Sequence, residues 1–202
     1  LRIGMGSGPG AMLMTPLLKL MATRHPTVHV DLARGHTDVL VQSLRERRLD
    51  ALVIDSRSMA PAVDLQVVTL AEMRGSFLVR PRHPLTRHRG TLHFDSLRQY
   101  PIASTPLSDE VARTLVERYG PGAHPATCVT LRCEEVASLV DVARETDTVL
   151  LAIRGAAPDL VELVLKPALN AQARFGLVTL AGRAEAPALP IVRQLMEALM
   201  HD

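Results

Sequence analysis

The first 26 residues, Leu1 to Pro26, read LRIGMGSGPGAMLMTPLLKLMATRHP, and they decide the fold. Leu1 to Met5 is a short apolar run that reads as a strand, and GSGPGA interrupts it at once. A helix follows, with Leu17, Leu18, Leu20 and Met21 as its buried stripe. Proline is best tolerated at the first helical position, so Thr15 is expected as N-cap and Pro16 as the first residue; an earlier start with a kink at Pro16 stays open. Beyond it, VHVDLA (Val28 to Ala33) alternates as a strand and Gly35 ends it. VLVQSLRER (Val39 to Arg47) has helical spacing, and LDALVID (Leu49 to Asp55) is a buried strand. Strand–helix–strand–helix–strand is the order of a parallel sheet with right-handed crossovers.

The pattern then returns. LQVVTLAEMRGSFLVRP is a long extended stretch, and YPIAS (Tyr100 to Ser104) is the next strand. SDEVARTLVERYG is a helix with Ser108 as N-cap, Asp109 and Glu110 on the positive end of its dipole, and Gly120 at its stop. ATCVTLR reads as a strand containing Cys128, EEVASLVDVARE as a helix preceded by Cys133, and TVLLAI as a strand. After the extended run LVELVLKP come a strand, FGLVTLA, and a final helix, PIVRQLMEALM, with Pro190 in its first turn. The fold class expected is α/β, two subdomains joined by two crossover segments. The first comprises residues 1–78 and 176–202, with the terminal helix packed back on it. The second comprises residues 79–175. In such folds ligands meet the carboxyl ends of the strands, here in the cleft between subdomains.

Composition limits the function. The 202 residues are 47% hydrophobic and 22% charged, enough for a core that buries ~70% of the unfolded surface. Aromatics make up only 2%, with no Trp, so the core rests on Leu, Val, Ala and Met. A net charge of +2 is too mild to mark a nucleic-acid surface, and no apolar run reaches the ~18 residues of a membrane span. The basic runs RERR and RPRHPLTRHR read as solvated faces. Two cysteines five positions apart match neither a redox nor a zinc spacing and read as reduced cytoplasmic thiols. His25 with His29, and His83, His88 and His93, match no ligand spacing, so no metal is expected.

Gly6, Gly8 and Ala11 satisfy G-x-G-x-x-A, but a dinucleotide turn needs an acid ending the second strand about 20 residues on. The one candidate, Asp31, falls within that strand, so no cofactor is expected. A Walker loop lacks its Gly-Lys-Ser/Thr, and a nucleophile elbow lacks both flanking glycines around Ser7. What remains is a glycine-rich turn whose backbone N–H groups and hydroxyl, at Ser7 and Gly8, suit a carboxylate, sulfate or phosphate. The other strand ends offer His36 and Thr37, Ser56 and Arg57, Ser104 and Thr105, and Arg132. Hydroxyls together with guanidiniums suit an anionic small molecule, because Arg binds carboxylates in a fork. Each also has an ordinary role available, Thr37 as an N-cap and the arginines as surface charges. No acid–base or nucleophilic constellation emerges, so no enzyme activity is expected.

These segments resemble the effector-binding domain of LysR-type transcriptional regulators over essentially the whole chain. The carriers are LRIGMGSGPGAMLMTPLLKLMATRHPTVHVDLARG, VQSLRERRLDALVI, LVRPRHPL with LRQYPIAS, and EEVASLVDVARETDTVLLAI. Arg48 stands where the family usually has Gly, and Glu145, Asp147 and Ala152 replace its common two glycines and proline. The resemblance implies a type II periplasmic-binding-protein fold with a cleft for a small, often acidic metabolite. It implies ligand contacts at Ser7 and Gly8, His36 and Thr37, Ser104 and Thr105, and Arg132. It further implies a cytoplasmic homodimer, a tetramer when full-length, with DNA bound only through an amino-terminal winged helix-turn-helix ahead of Leu1. A transporter's solute-binding protein is the alternative on the same fold.

Overall fold

The computed structural model describes residues 1–201; of Thr69 and Leu70 it describes the backbone alone, and Asp202, the last residue of the expected first subdomain, lies outside the described residues. In chain order the main elements are β1 (Arg2–Met5), α1 (Ser7–Arg24), β2 (Asp31–Arg34), α2 (Thr37–Arg45), β3 (Ala51–Asp55) and β4 (Leu65–Val79). Then follow α3 (Phe94–Leu97), β5 (Ile102–Ser104), α4 (Asp109–Tyr119), α5 (Pro125–Cys128), β6 (Val129–Arg132) and α6 (Val136–Glu145). The chain closes with β7 (Val149–Ile153), β8 (Val161–Leu163), β9 (Gln172–Leu180) and α7 (Leu189–Leu199). It divides into two compact units, Leu1–Met73 with the chain from Arg174 onward, and Arg74–Ala173. The unit changes inside β4 and again inside β9.

In the first unit β1 pairs in parallel with β2 on one side and β3 on the other, and β3 pairs antiparallel with β9. Leu40, Val41 and Leu44 of α2 pack with Leu49, Leu52, Ile54 and Val178. Gly4 permits that approach: a Cβ there would lie 2.8–2.9 Å from side-chain carbons of Leu49, Leu52 and Leu40. On α1 the buried stripe is Leu13, Leu17 and Met21, and α7 lies against this helix. Leu18, expected inside, is 49% exposed.

Helix α1 begins at Ser7, not at Pro16. Gly6 is its extended N-cap and donates to the Val53 carbonyl at 3.0 Å, so the helix starts as soon as β1 ends. Pro9 sits in the first turn, where the N–H groups have no intrahelical partner to lose. Pro16 lies inside the helix, at a cost of ~3 kcal/mol. Burying Leu13, Leu17 and Met21 contributes ~1.5–3 kcal/mol each, which outweighs that cost.

In the second unit β7 pairs antiparallel with β4 and in parallel with β5, which also pairs in parallel with β6; β8 pairs with β4. Side chains alternate across this sheet. Phe77, Val79, Ile102, Val149 and Leu151 join one core, and Leu78, Ala103 and Leu150 join the other, under α6. The first core holds a ring cluster: Phe94 stacks on Tyr119 at 5.0 Å, and Phe77 tilts against both. Burial pushes the Tyr119 hydroxyl up to about 12.

Cys128 is not a strand residue. His124-Pro125 opens a helical turn in which the His124 ring accepts from the Ala126 N–H at 3.2 Å, and only Val129–Arg132 is extended. The same device recurs at His83-Pro84, where His83 accepts from the Leu85 N–H at 3.1 Å. Proline sets the turn, and the preceding imidazole caps it. Both cysteines are free thiols.

Candidate functional site

The carboxyl edge of each unit's parallel strands gathers the polar candidates. In the first unit Met5 pairs in register with Arg34 on one side and Val53 on the other, so the chain beyond each strand emerges at one edge. Ser7 and Gly8 are the first two residues of α1, which has no acid in its first turn. His36 is the N-cap of α2 through its backbone, and its carbonyl accepts from Leu40; Thr37 is the first helical residue, not the cap. Two helix N-termini, each a concentration of backbone N–H and partial positive charge, thus rise from this edge.

Asp55, the last residue of β3, organises the turn beyond that strand. One of its oxygens accepts from the Arg57 backbone N–H at 3.1 Å, from Arg57 Nε at 3.5 Å and from the Arg174 backbone N–H at 3.4 Å. Its backbone carbonyl accepts from the Ser58 hydroxyl at 2.6 Å, and Ser58 in turn meets the Thr37 hydroxyl at 2.8 Å. The Ser56 hydroxyl donates to the Arg174 carbonyl at 3.1 Å. The structure therefore ties Thr37 to the turn after β3, while Ser56 fastens β9 and Arg57 leans on a carboxylate.

Arg34, at the end of β2, was not among the candidates from sequence. Its side chain lies across the first turn of α1, 3.2 Å from where a Cβ on Gly10 would stand. It brings a guanidinium to the turn that begins with Ser7 and Gly8. The sequence signal is the pair itself, an Arg closing the strand and a glycine in the facing turn.

In the second unit Ser104 and Arg132 are register partners on β5 and β6, and Ser104 also pairs with Leu151 of β7. Ser104 is fully buried and its hydroxyl donates to the Thr105 carbonyl at 2.7 Å. Its own carbonyl accepts from the Cys133 N–H at 3.4 Å. Thr105 is half-buried just beyond, and Arg132 is exposed. The Glu135 N–H donates to Cys133 Sγ at 3.3 Å, and the Glu135 carboxylate accepts from the Ala137 N–H to open α6. Ser104 thus shapes the turn that leads into Thr105, on the strand next to the one that ends in the exposed Arg132.

Shifted carboxylates lie elsewhere. The Arg2 guanidinium holds Asp50 below the usual carboxylate range, and Arg45 and Arg144 do the same to Asp64 and Asp159. Asp50 also lines a small cavity of about 60 Å³ with Thr179, Leu180, Arg183 and Glu185. Asp31, the residue weighed as a ribose-binding acid, stands at the amino end of β2, opposite Arg2. Among the described residues no group of three or more His, Cys, Asp or Glu is placed to hold a metal ion, and no helix is long and apolar enough to cross a membrane.

Alternating strands and helices in two units, with polar residues at the carboxyl ends of the parallel strands, make an α/β fold of the type II periplasmic-binding-protein-like class. Comparison with known proteins narrows the class. The model of the LysR substrate binding domain matches residues 1–201, and the chain belongs to that family. A curated relative, the SDS degradation transcriptional activation protein of Pseudomonas sp. (strain ATCC 19151), is 33% identical over 204 residues. That match takes in 97% of this chain, which spans only 65% of the relative's length. Among solved structures, the CrgA regulatory domain of Neisseria meningitidis superposes with a TM-score of 0.75 at 14% identity, covering 98% of both chains. The reduced regulatory domain of OxyR2 from Vibrio vulnificus does so at 0.71 and 14%, covering 98% of this chain and 94% of its own. At such identities the likeness is one of fold.

Proposed function

We propose that this chain is the ligand-sensing part of a LysR-type transcription regulator, and that it binds a small anionic effector through the polar strand ends of its units. The observation that carries the reading is one edge holding Arg34, Ser7, Gly8 and the N-termini of α1 and α2, matched by Thr105 and Arg132 on the other unit. An anion there meets backbone N–H groups, a hydroxyl and a guanidinium fork, each of which favours negative charge. Binding one arrangement of the chain more tightly than another shifts the regulator's population, with no catalytic step involved. The effector controls transcription by the full-length protein, a cytoplasmic homodimer or tetramer whose operator is read by a segment ahead of Leu1. Family membership favours this reading over a transporter's solute-binding protein.

The scarcity of aromatic residues points to an aliphatic acid over one gripped by ring stacking. The relative named for SDS degradation adds alkyl sulfates to that class. The test is thermal unfolding of the chain with a panel of short-chain carboxylates, alkyl sulfates below their micellar concentration, aromatic acids and NAD(P)H. A ligand at about 100 times its dissociation constant adds ~2.7 kcal/mol, a shift of several degrees. A rise with one class of acid supports the reading. A rise with the nucleotide alone overturns it and makes the opening glycines a cofactor turn.

A further inference from the structure

The run from Arg80 to His93 holds four arginines and three histidines, with no acid before Asp95. It is not a loose loop. The His83 ring is fully buried, accepts from the Leu85 N–H on Nδ1 and donates from Nε2 to the Asp147 carbonyl at 3.0 Å. That ring also meets Tyr100 edge-on at 4.6 Å. Arg80 is committed to Asp147 at 2.7 Å, and the Thr86 hydroxyl donates to the His83 carbonyl. Leu85, Leu92 and Phe94 are buried in the core of the second unit. At the far end, Lys166 donates its N–H to the Leu92 carbonyl, and its own carbonyl meets the His93 ring at 2.9 Å.

What this frame presents outward is Arg82, Arg87 and Arg89, all exposed, with exposed Lys166 next to its end. Among the described residues none of the three arginines has a hydrogen-bond or ion-pair partner, whereas Arg80 and Arg98 on either side pair with Asp147 and Asp95. We propose that Arg82, Arg87 and Arg89 form a contact surface for the phosphate backbone of duplex DNA.

The chemistry favours that partner over two others. Guanidinium forks match phosphate oxygens. Every large apolar side chain of the segment is turned into the core, so an acidic peptide would find charge but nothing in which to anchor an apolar side chain. No Phe, Tyr or Trp ring is exposed there on which the bases of a single strand would stack. A backbone contact by three arginines is sequence-independent and weak alone. It gains force only where another part of the protein already holds DNA nearby, by raising the effective concentration. Within the second unit the segment follows the end of β4 that lies by the amino ends of β5 and β7, opposite Thr105 and Arg132, and its role is more than that of a solvated face.

The test is fluorescence anisotropy of a labelled duplex of arbitrary sequence titrated with the chain, from low to physiological salt. Three phosphate contacts predict that log K falls against log salt with a slope of about −2.7. The triple variant R82A/R87A/R89A should lose at least tenfold in affinity at low salt and most of the slope. R24A/R113A/R183A removes the same charge from exposed positions elsewhere and should stay within about twofold of the parent. Thermal unfolding confirms that both variants fold. Equal losses in the two variants would reduce the effect to net charge and overturn the proposal. So would the absence of salt-dependent binding by the parent, or tighter binding to single strands or polyglutamate than to the duplex. None of these outcomes bears on the acid panel, so this inference and the sensor reading fail separately.

Discussion

The carboxyl edges of the two units are built on different principles. In the first, the side chains are already engaged with one another: Thr37 with Ser58, Ser58 with the Asp55 carbonyl, Arg57 with the Asp55 carboxylate, Ser56 with β9. What this edge offers a ligand is chiefly backbone, two helix N-termini held in place by that network. In the second unit the engaged hydroxyl is Ser104, buried beneath the edge, and the groups presented are Thr105 and the exposed Arg132. The cores differ in the same sense. Leu, Ile and Val fill the first, while a ring cluster of Phe77, Phe94 and Tyr119 packs in the second on the face of the sheet that holds Ile102 of β5. One edge is a network of engaged side chains around two helix N-termini, and the other leaves Arg132 exposed beside a buried, engaged Ser104.

The largest effect expected is on the ring cluster. Phe77 is 2% exposed, and Phe77→Ala should cost ~3–5 kcal/mol in urea unfolding, with amide exchange reading the loss at β5 and β7. A cost below about 1 kcal/mol would mean the ring cluster is not what holds that edge. Next, Arg132→Ala should weaken binding of the effector acid at least several-fold, on the order of 1 kcal/mol, without changing the melting temperature of the free chain. Unchanged affinity would remove Arg132 from the site and leave the second edge to Thr105. A double-mutant cycle of Thr37→Ala and Ser58→Ala should show a coupling of ~0.5–1.5 kcal/mol in stability. No coupling would deny the first edge its pre-ordered character.

The smallest effect is a titration at the opposite end of the first unit. Asp50 is held below the ordinary carboxylate range by its hydrogen bonds to Arg2. A depressed native value means the unfolded chain binds the proton first. Its contribution is therefore complete above about pH 4 and disappears as pH falls through the native value. Asp50→Asn should flatten that acid limb, read as urea midpoints between pH 3 and pH 7. An unchanged limb would place the acid sensitivity on the other paired aspartates.

Much of this was legible in the residues because it rests on local chemistry. Ser108 caps α4 by accepting from the Val111 N–H, Gly120 ends it at a φ of 87°, and the alternation through Phe77, Leu78 and Val79 marks both faces of a sheet. Local rules misplaced the start of α1, because proline preference favours Pro16 at the first position while burial of Leu13, Leu17 and Met21 overrides it. They misread Cys128 because a histidine cap before proline is not among the familiar start signals. At the edge, the strand-end rule located the candidates, and it could not say which were engaged. That Ser56 meets β9, that Asp55 gathers two arginines, and that Arg34 lies over Gly10 depend on chain segments far apart in sequence.

The most direct test of the proposed effector site is a backbone amide NMR titration with whichever acid raises the melting temperature most. The account predicts that the amides which shift are those of the proposed strand ends, among Ser7, Gly8, Thr37, Thr105 and Arg132, saturating with the acid. Shifts gathered around Asp50 and Arg183 instead would contradict it.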